Sequence, residues 1–144
     1  MENLPEGIEV EDDGAVRFSG RARWLLLAVL KRAKFAGDYE SIALFNPWMA
    51  SLAAHLTAEL APDSELQPYA DDGATRYSIA RAIAYDADNM GWWKMTDAER
   101  ADFLQSVVAA PHVMSQETVE EILLAVTDVV ENARRMVNAA SAAP

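Results

Sequence analysis

The chain has 144 residues, of which 51% are hydrophobic and 24% are charged, and its formal net charge at pH 7 is −11. This composition is typical of a globular protein with one core. The acidity disfavours direct binding to nucleic acid or anionic membranes, and the absence of cysteine excludes disulfides, thiolate metal sites and a cysteine nucleophile.

No targeting or membrane segment is predicted. The opening MENLPEGIEV lacks the basic start and apolar stretch of a secretory signal. The longest apolar run, from Trp24 to Leu30, is far shorter than the roughly 20 residues of a membrane helix. We therefore expect a cytoplasmic protein with no membrane partner, folded as one helical domain over residues 1–144, with residues 1–6 and 140–144 flexible.

The first predicted element is a β-hairpin. Apolar and polar residues alternate in IEVE (8–11) and AVRF (15–18), on either side of an Asp-Gly turn. A two-stranded hairpin is marginal alone, so one face should pack onto the helices. The apolar residues of that face are Ile8, Val10, Val16 and Phe18.

An apolar helix is predicted next, from a Ser19 cap to Ala36, with Gly37 as its left-handed end. Its centre, WLLLAVL, is apolar on all sides, which indicates a central helix surrounded by others. The stretch from Arg17 to Lys34 carries only basic charges, which we expect to reach outward from the core. These charges are either neutralised by neighbouring acids or form a basic contact patch.

A short helical turn over residues 38–45 is predicted to precede a helix from Pro47 to Ala61. Asn46 suits the cap of this helix and Pro47 its first position. The following segment, 62–75, is rich in Pro, Asp and Gly and is predicted to be the longest loop. The apolar face of the helix is predicted to hold Met49, Leu52, Leu56 and Leu60, with Trp48 at its edge.

The next helix is predicted from Arg76 to Met90, with Gly91 at its end and the pair Trp92 and Trp93 as a connector. Its apolar stripe is predicted to comprise Ile79, Ile83, Ala87 and Met90.

TDAE at residues 96–99 is a capping box, and it predicts a helix that ends near Ala109, before Pro111. Its inward side chains are predicted to be Phe103, Leu104, Val107 and Val108.

Ser115 is the predicted cap of the last and longest helix, which should reach about Ala139. The broad apolar face of this helix comprises Val119, Ile122, Leu123, Val126, Val129, Val130, Ala133 and Val137. The sequence therefore predicts a mainly α fold, a compact bundle of about five helices with a short N-terminal β-hairpin.

Two groups of residues are candidate partner contacts. The first is an aromatic surface at Trp92 and Trp93, because indoles with polar neighbours are common in binding hot spots. The second is the acidic face of the last helix, which could meet a basic surface around an apolar anchor. Its members are Glu117, Glu121, Leu124 and Asp128.

No metal, cofactor or catalytic site is predicted. His55 and Glu59 are neighbours on one helix, but a metal would need a third ligand, and His112 is the only other histidine. We interpret the pair as an exposed helix pair. The serines and histidines stand in no GxSxG context, and the glycines form no phosphate-binding motif.

Residues 78–93, SIARAIAYDADNMGWW, resemble the helix and turn that precede the metal-binding helices in all-α nucleotide pyrophosphohydrolases of the MazG type. The resemblance implies an EExxE helix and a later ExxD helix that hold magnesium against a triphosphate. The chain departs from this pattern, because the next helix offers only Glu99 and Asp102. A magnesium-dependent hydrolase is thus an alternative that requires the acids of the last helix, Glu117, Glu121 and Asp128, to converge on one cavity.

The expected function is that of a small acidic protein-binding factor: an inhibitor, an antitoxin-like or immunity-like protein, or an adaptor that covers a partner's surface. The expected partner is another protein with a basic surface, or a second copy of the chain in a homo-oligomer. The composition is compatible with a bacterial or phage source. A DNA-binding regulator that uses the basic first helix is a further alternative, and its affinity would fall steeply with salt.

Overall fold

The computed structural model describes residues 6–35, 45–63 and 66–142. These residues form five helices and one two-stranded antiparallel hairpin, which confirms the predicted mainly α fold with an N-terminal hairpin.

The hairpin pairs β1 (Ile8–Val10) with β2 (Val16–Phe18), and Ile8 lies opposite Phe18. Its two ends are joined by a hydrogen bond from the Ser19 N–H to the Gly7 carbonyl, 2.7 Å. Gly7 has φ +92°, and a Cβ there would lie 2.5 Å from the Ser19 carbonyl oxygen. Only glycine therefore allows the chain to close the hairpin at this point.

The hairpin packs onto the helices less than predicted. Ile8 is half-buried and Phe18 is 37% exposed, and both lie near α1. Val10 and Val16, at the turn end, are 40% and 50% exposed. The prediction is wrong for this outer pair, because no described helix extends beneath it.

Helix α1 (Arg21–Phe35) starts two residues after Ser19, and its predicted end at Ala36 and Gly37 lies outside the described residues. The prediction that this helix is central, with others around it, is wrong. It buries one face, comprising Ala22, Leu27, Leu30 and Lys34, and it packs mainly against the next helix. Its opposite side is exposed, because no described element covers that side.

Helix α2 (Pro47–Leu60) begins at the predicted cap, and the turn predicted before it lies largely outside the described residues. The buried face comprises Ala50, Ala53, Leu56 and Thr57. Leu52 is 40% exposed and Trp48 82% exposed, so the predicted face is wrong by a small rotation about the helix axis. Ala53 and Leu56 pack with Leu27 and Leu30 of α1 in a small apolar cluster.

The cap of α2 provides a first prediction. The Asn46 side chain accepts hydrogen bonds from the N–H groups of Trp48 and Met49, at 2.9 and 3.0 Å. Asn46→Ala removes both and is expected to lower the free energy of unfolding by about 1 kcal/mol. Asn46→Asp keeps a capping oxygen and should cost only a few tenths by comparison. Urea denaturation followed by circular dichroism measures the difference, and equal losses in both variants would contradict the capping role.

Helix α3 (Gly73–Met90) starts three residues earlier than predicted. The cause is Asp72, whose carboxylate accepts from the N–H and the hydroxyl of Thr75, at 2.8 and 2.7 Å, and these bonds lower its pKa. The predicted loop is correspondingly shorter, and it is not free: Tyr69 and Ala70 are buried. Helix α3 ends as predicted at Gly91, in the left-handed conformation with φ 71°.

After a 3₁₀ turn (Trp92–Lys94), helix α4 (Asp97–Phe103) continues as a π-helical turn, Leu104–Val108. Thr96 caps the helix as predicted, because its hydroxyl accepts from the Glu99 N–H at 3.1 Å, and the same hydroxyl donates to the Glu99 carboxylate at 3.2 Å. Phe103 is only partly buried.

Helix α5 (Gln116–Ala142) completes the main core. The Ser115 hydroxyl accepts from the Thr118 N–H at 3.1 Å, as predicted for a cap. The core lies between α3, α4 and α5, and its residues with no exposed surface are Ile79, Ala80, Ile83, Leu104, Val108, Ala109, Val119, Ile122 and Val126. The predicted apolar face of α5 is covered only over its first half, because residues 131–141 are all exposed.

Candidate protein-binding surfaces

Three large apolar side chains are exposed on one side of α1. We define the α1 apolar face as Arg21, Trp24, Leu25, Ala28, Val29 and Arg32, which recur at helical spacing and are all exposed. Trp24, Leu25 and Val29 are 51%, 58% and 64% exposed. A helix that is apolar all round therefore buries one side in its own fold and presents the other to solvent.

The basic stretch from Arg17 to Lys34 was expected either to be neutralised by neighbouring acids or to form a basic contact patch. In the structure, only some of its charges are paired with acids. Arg17 lies 3.0 Å from Glu11, and Arg23 pairs with Glu59 of α2. Arg21 and Arg32 form no ion pair with any residue in the described part of the chain. The α1 apolar face is thus bounded at each end by an available guanidinium group.

Beside this face, α1 and the hairpin form an apolar groove with a volume of about 480 Å³. Ile8 and Phe18 form the hairpin wall, and Leu25, Leu26 and Val29 form the helix wall. The groove continues the α1 apolar face sideways, so that a partner on the helix could insert side chains towards the hairpin.

The predicted aromatic surface divides into a buried and an exposed indole. Trp92 is 1% exposed, and its ring packs edge-on to Phe103 with centroids 6.4 Å apart. Trp93 is 43% exposed. The Arg100 guanidinium lies 5.3 Å from the Trp92 ring and 5.8 Å from the Trp93 ring, and its Nε donates to the Trp92 carbonyl at 3.0 Å. A partner that meets this fold contacts Trp93 and not Trp92.

The predicted acidic face of α5 is exposed but not uniformly available. Leu124 is 68% exposed, and Glu117 and Asp128 are also exposed. Glu121 is instead held by Arg76 of α3, with Nε and Oε2 2.8 Å apart. This ion pair stabilises the contact between α3 and α5, and the Glu121 carboxylate is therefore not free to bind a partner as a member of the acidic face.

The carboxylates do not converge as the hydrolase alternative requires. Within residues 6–35, 45–63 and 66–142, no three His, Asp or Glu side chains are grouped to hold a metal ion. His55 and Glu59 form an exposed pair, 3.0 Å apart, that also includes Arg23. His112 lies elsewhere, against Phe35, with ring centroids 4.8 Å apart.

Lys34 is the basic residue whose placement differs most from the prediction. It was expected to reach outward, but it is 2% exposed, and its ammonium donates to the carbonyls of Val107 and Ala110, both at 2.6 Å. Burial lowers the pKa of Lys34 to about 8. It also lowers the pKa of the neighbouring His112, as do the charges of Lys31 and Lys34. Lys34 therefore joins the end of α1 to the end of the π-helical turn.

Sequence reasoning did not identify the α1 apolar face, although one signal was present. Arg21 and Arg32 lie on the same side of the helix as Trp24 and Val29. A helix enclosed on all sides has nowhere to place two unpaired guanidinium groups, so this side had to face solvent or a partner.

None of the helices in the described ranges has both the length and the apolarity needed to cross a bilayer. Comparison of the chain with models of protein families, with curated proteins and with solved structures finds no match.

Proposed function

We propose that the protein is a binding factor that covers a surface of another protein with its α1 apolar face. The supporting observation is one exposed helix side that holds an indole and two aliphatic side chains between two arginines. Aromatic and arginine side chains dominate binding hot spots, and such patches on a soluble fold mark contact sites.

The chemistry of this face specifies the kind of partner. Arg21 and Arg32 are eleven residues apart, which is about 16 Å along the helix axis. An amphipathic helix with an apolar stripe and an acidic residue near each end matches this spacing, because arginine binds carboxylates through two parallel hydrogen bonds. The adjoining hairpin groove accepts apolar anchors of such a helix.

The expected affinity is moderate. Full burial of each large apolar side chain contributes roughly 1.5–3 kcal/mol, and three lie on this face. The cost of association offsets much of that sum, so a short helical partner should bind in the micromolar range. A whole partner protein would add contacts at the hairpin.

The surface at Trp93 and the acidic face of α5 are a second candidate contact region, for a partner with a basic surface. We favour the α1 apolar face because it presents three exposed large apolar side chains, whereas the α5 face has one, Leu124, and its Glu121 is paired with Arg76. A cytoplasmic location is part of the proposal and is supported by the cysteine-free composition.

The proposal can be tested with a synthetic helical peptide that has an apolar stripe and glutamates eleven residues apart. Isothermal titration calorimetry should detect binding, and Val29→Glu should weaken it by at least about tenfold because a charge replaces a central contact. Leu124→Glu is the matched control, since Leu124 is 68% exposed against 64% for Val29, and it should leave the affinity unchanged. Both substitutions are at exposed helix positions and should leave the fold intact.

A second peptide, with lysines in place of the glutamates, tests the role of the arginines. It should bind at least about tenfold more weakly than the acidic peptide. Equal binding of the two peptides, or loss of binding in Leu124→Glu but not in Val29→Glu, would refute the proposed surface.

A further inference from the structure

The apolar stripe of α5 is longer than the part of the fold that covers it. Apolar residues recur along this stripe at alternating spacings of three and four residues, as in a coiled-coil seam. The positions are Val119, Ile122, Val126, Val129, Ala133 and Met136. The first three are fully buried, whereas Ala133 is exposed and Met136 is 73% exposed. The second half of the seam is therefore unpaired within this chain.

The exposed end of α5 also borders an apolar groove. Ala84 of α3 faces apolar residues of α5, including Val130 and Val137, across a volume of about 610 Å³, and Arg81, Arg134 and Asn138 also line this groove. Tyr85, which is 94% exposed, lies at the rim of this groove. The groove is wide enough to receive side chains from another helix.

The exposed end comprises about three helical turns, and a helix this short is marginal in water without tertiary contacts. Its apolar residues continue in register with the buried seam, so its pattern is that of a helix with a packing partner. A second helix along the seam would complete the burial that Val119, Ile122 and Val126 begin.

We propose that two copies of the chain associate through this end of α5, with the two helices antiparallel and Ala133 at the two-fold axis. The same residues of each copy then form both sides of the interface, as two-fold symmetry requires. The small Ala133 side chain allows the helix axes to approach closely at the centre.

The charge distribution supports self-association at this place rather than elsewhere. Each copy carries a formal charge of −11, which opposes contact between most of their surfaces. Residues 129–142 contain one acid, Glu131, and two bases, Arg134 and Arg135, so this segment has a net charge of +1. This segment therefore does not share in the repulsion between the acidic surfaces of the two copies.

The proposed contact spans about 20 Å of helix. An interface of that length lies at the lower end of specific interface sizes, so the dissociation constant should be micromolar. Sedimentation equilibrium of the full chain from about 1 μM to about 500 μM should therefore show a monomer that converts to a dimer.

Two variants test the proposed contact. Met136→Glu should weaken dimerisation by at least about tenfold, while Trp48→Glu, at an 82% exposed position of α2, leaves it unchanged. Because these residues are exposed, the thermal unfolding of each variant at low concentration should match that of the wild type.

A chain that stays monomeric over the whole concentration range overturns the proposal. So does a dimer that Met136→Glu leaves intact. These outcomes are independent of the peptide binding described for the α1 apolar face, because the two surfaces share no residue.

Discussion

Replacement of Trp92 by alanine is expected to lower the free energy of unfolding by about 3–5 kcal/mol, the cost of removing a large aromatic side chain from a packed core. Trp92 is 1% exposed, contacts Phe103 edge-on, and lies under the Arg100 guanidinium. Its removal leaves a cavity between the end of α3 and α4 and withdraws the ring on which Arg100 rests.

The adjacent indole provides the matched control. Trp93 is 43% exposed, so Trp93→Ala should cost no more than about 1 kcal/mol. Both variants can be compared by urea denaturation followed by circular dichroism. Similar losses in the two variants would mean that Trp92 is not the core residue of the pair.

Lys34 is expected to make the stability of the protein rise with pH in the alkaline range. Its pKa is about 8 in the folded state and near the ordinary value of 10.5 when unfolded. Between these values the unfolded state binds more protons, so the free energy of unfolding increases as pH rises. A difference of this size corresponds to about 3 kcal/mol. The penalty is fully present below pH 8 and is relieved as pH approaches 10.5.

The measurement is the free energy of unfolding at several pH values from 8 to 10.5, compared between the wild type and Lys34→Met. The variant should lack the rise that Lys34 causes, and the titration of tyrosines cancels in the difference. Lys94→Met, at an exposed lysine, should keep the wild-type slope. Identical slopes in the wild type and Lys34→Met would show that Lys34 is not held in a desolvated position.

The elements of the fold were predictable where their limits depend on local chemistry. Asn46 before Pro47, the capping box from Thr96 to Glu99 and the Asp-Gly turn of the hairpin each involve hydrogen bonds among residues close in sequence. Such local hydrogen bonds do not depend on which element packs against the segment. The residues that form them can therefore be recognised from the sequence alone.

Burial was less predictable, because it depends on which element lies opposite. The apolar pattern of α1 is equally consistent with a surrounded helix and with one that packs on α2 and leaves Trp24 and Val29 outside. The same holds for the exposed end of α5. Lys34 is buried because two backbone carbonyls of a segment distant in sequence accept hydrogen bonds from its ammonium group, and no local sequence pattern predicts that contact.

Three of the four tryptophans lie at the surface: Trp24, Trp48 and Trp93 are 51%, 82% and 43% exposed. The intrinsic fluorescence of the native protein is therefore dominated by indoles in contact with water, and it should peak at long wavelength even before unfolding. Emission is thus a poor monitor of denaturation here. A ligand that covers Trp24 would instead move the emission maximum to shorter wavelength. The direction of the shift therefore distinguishes binding at α1 from unfolding.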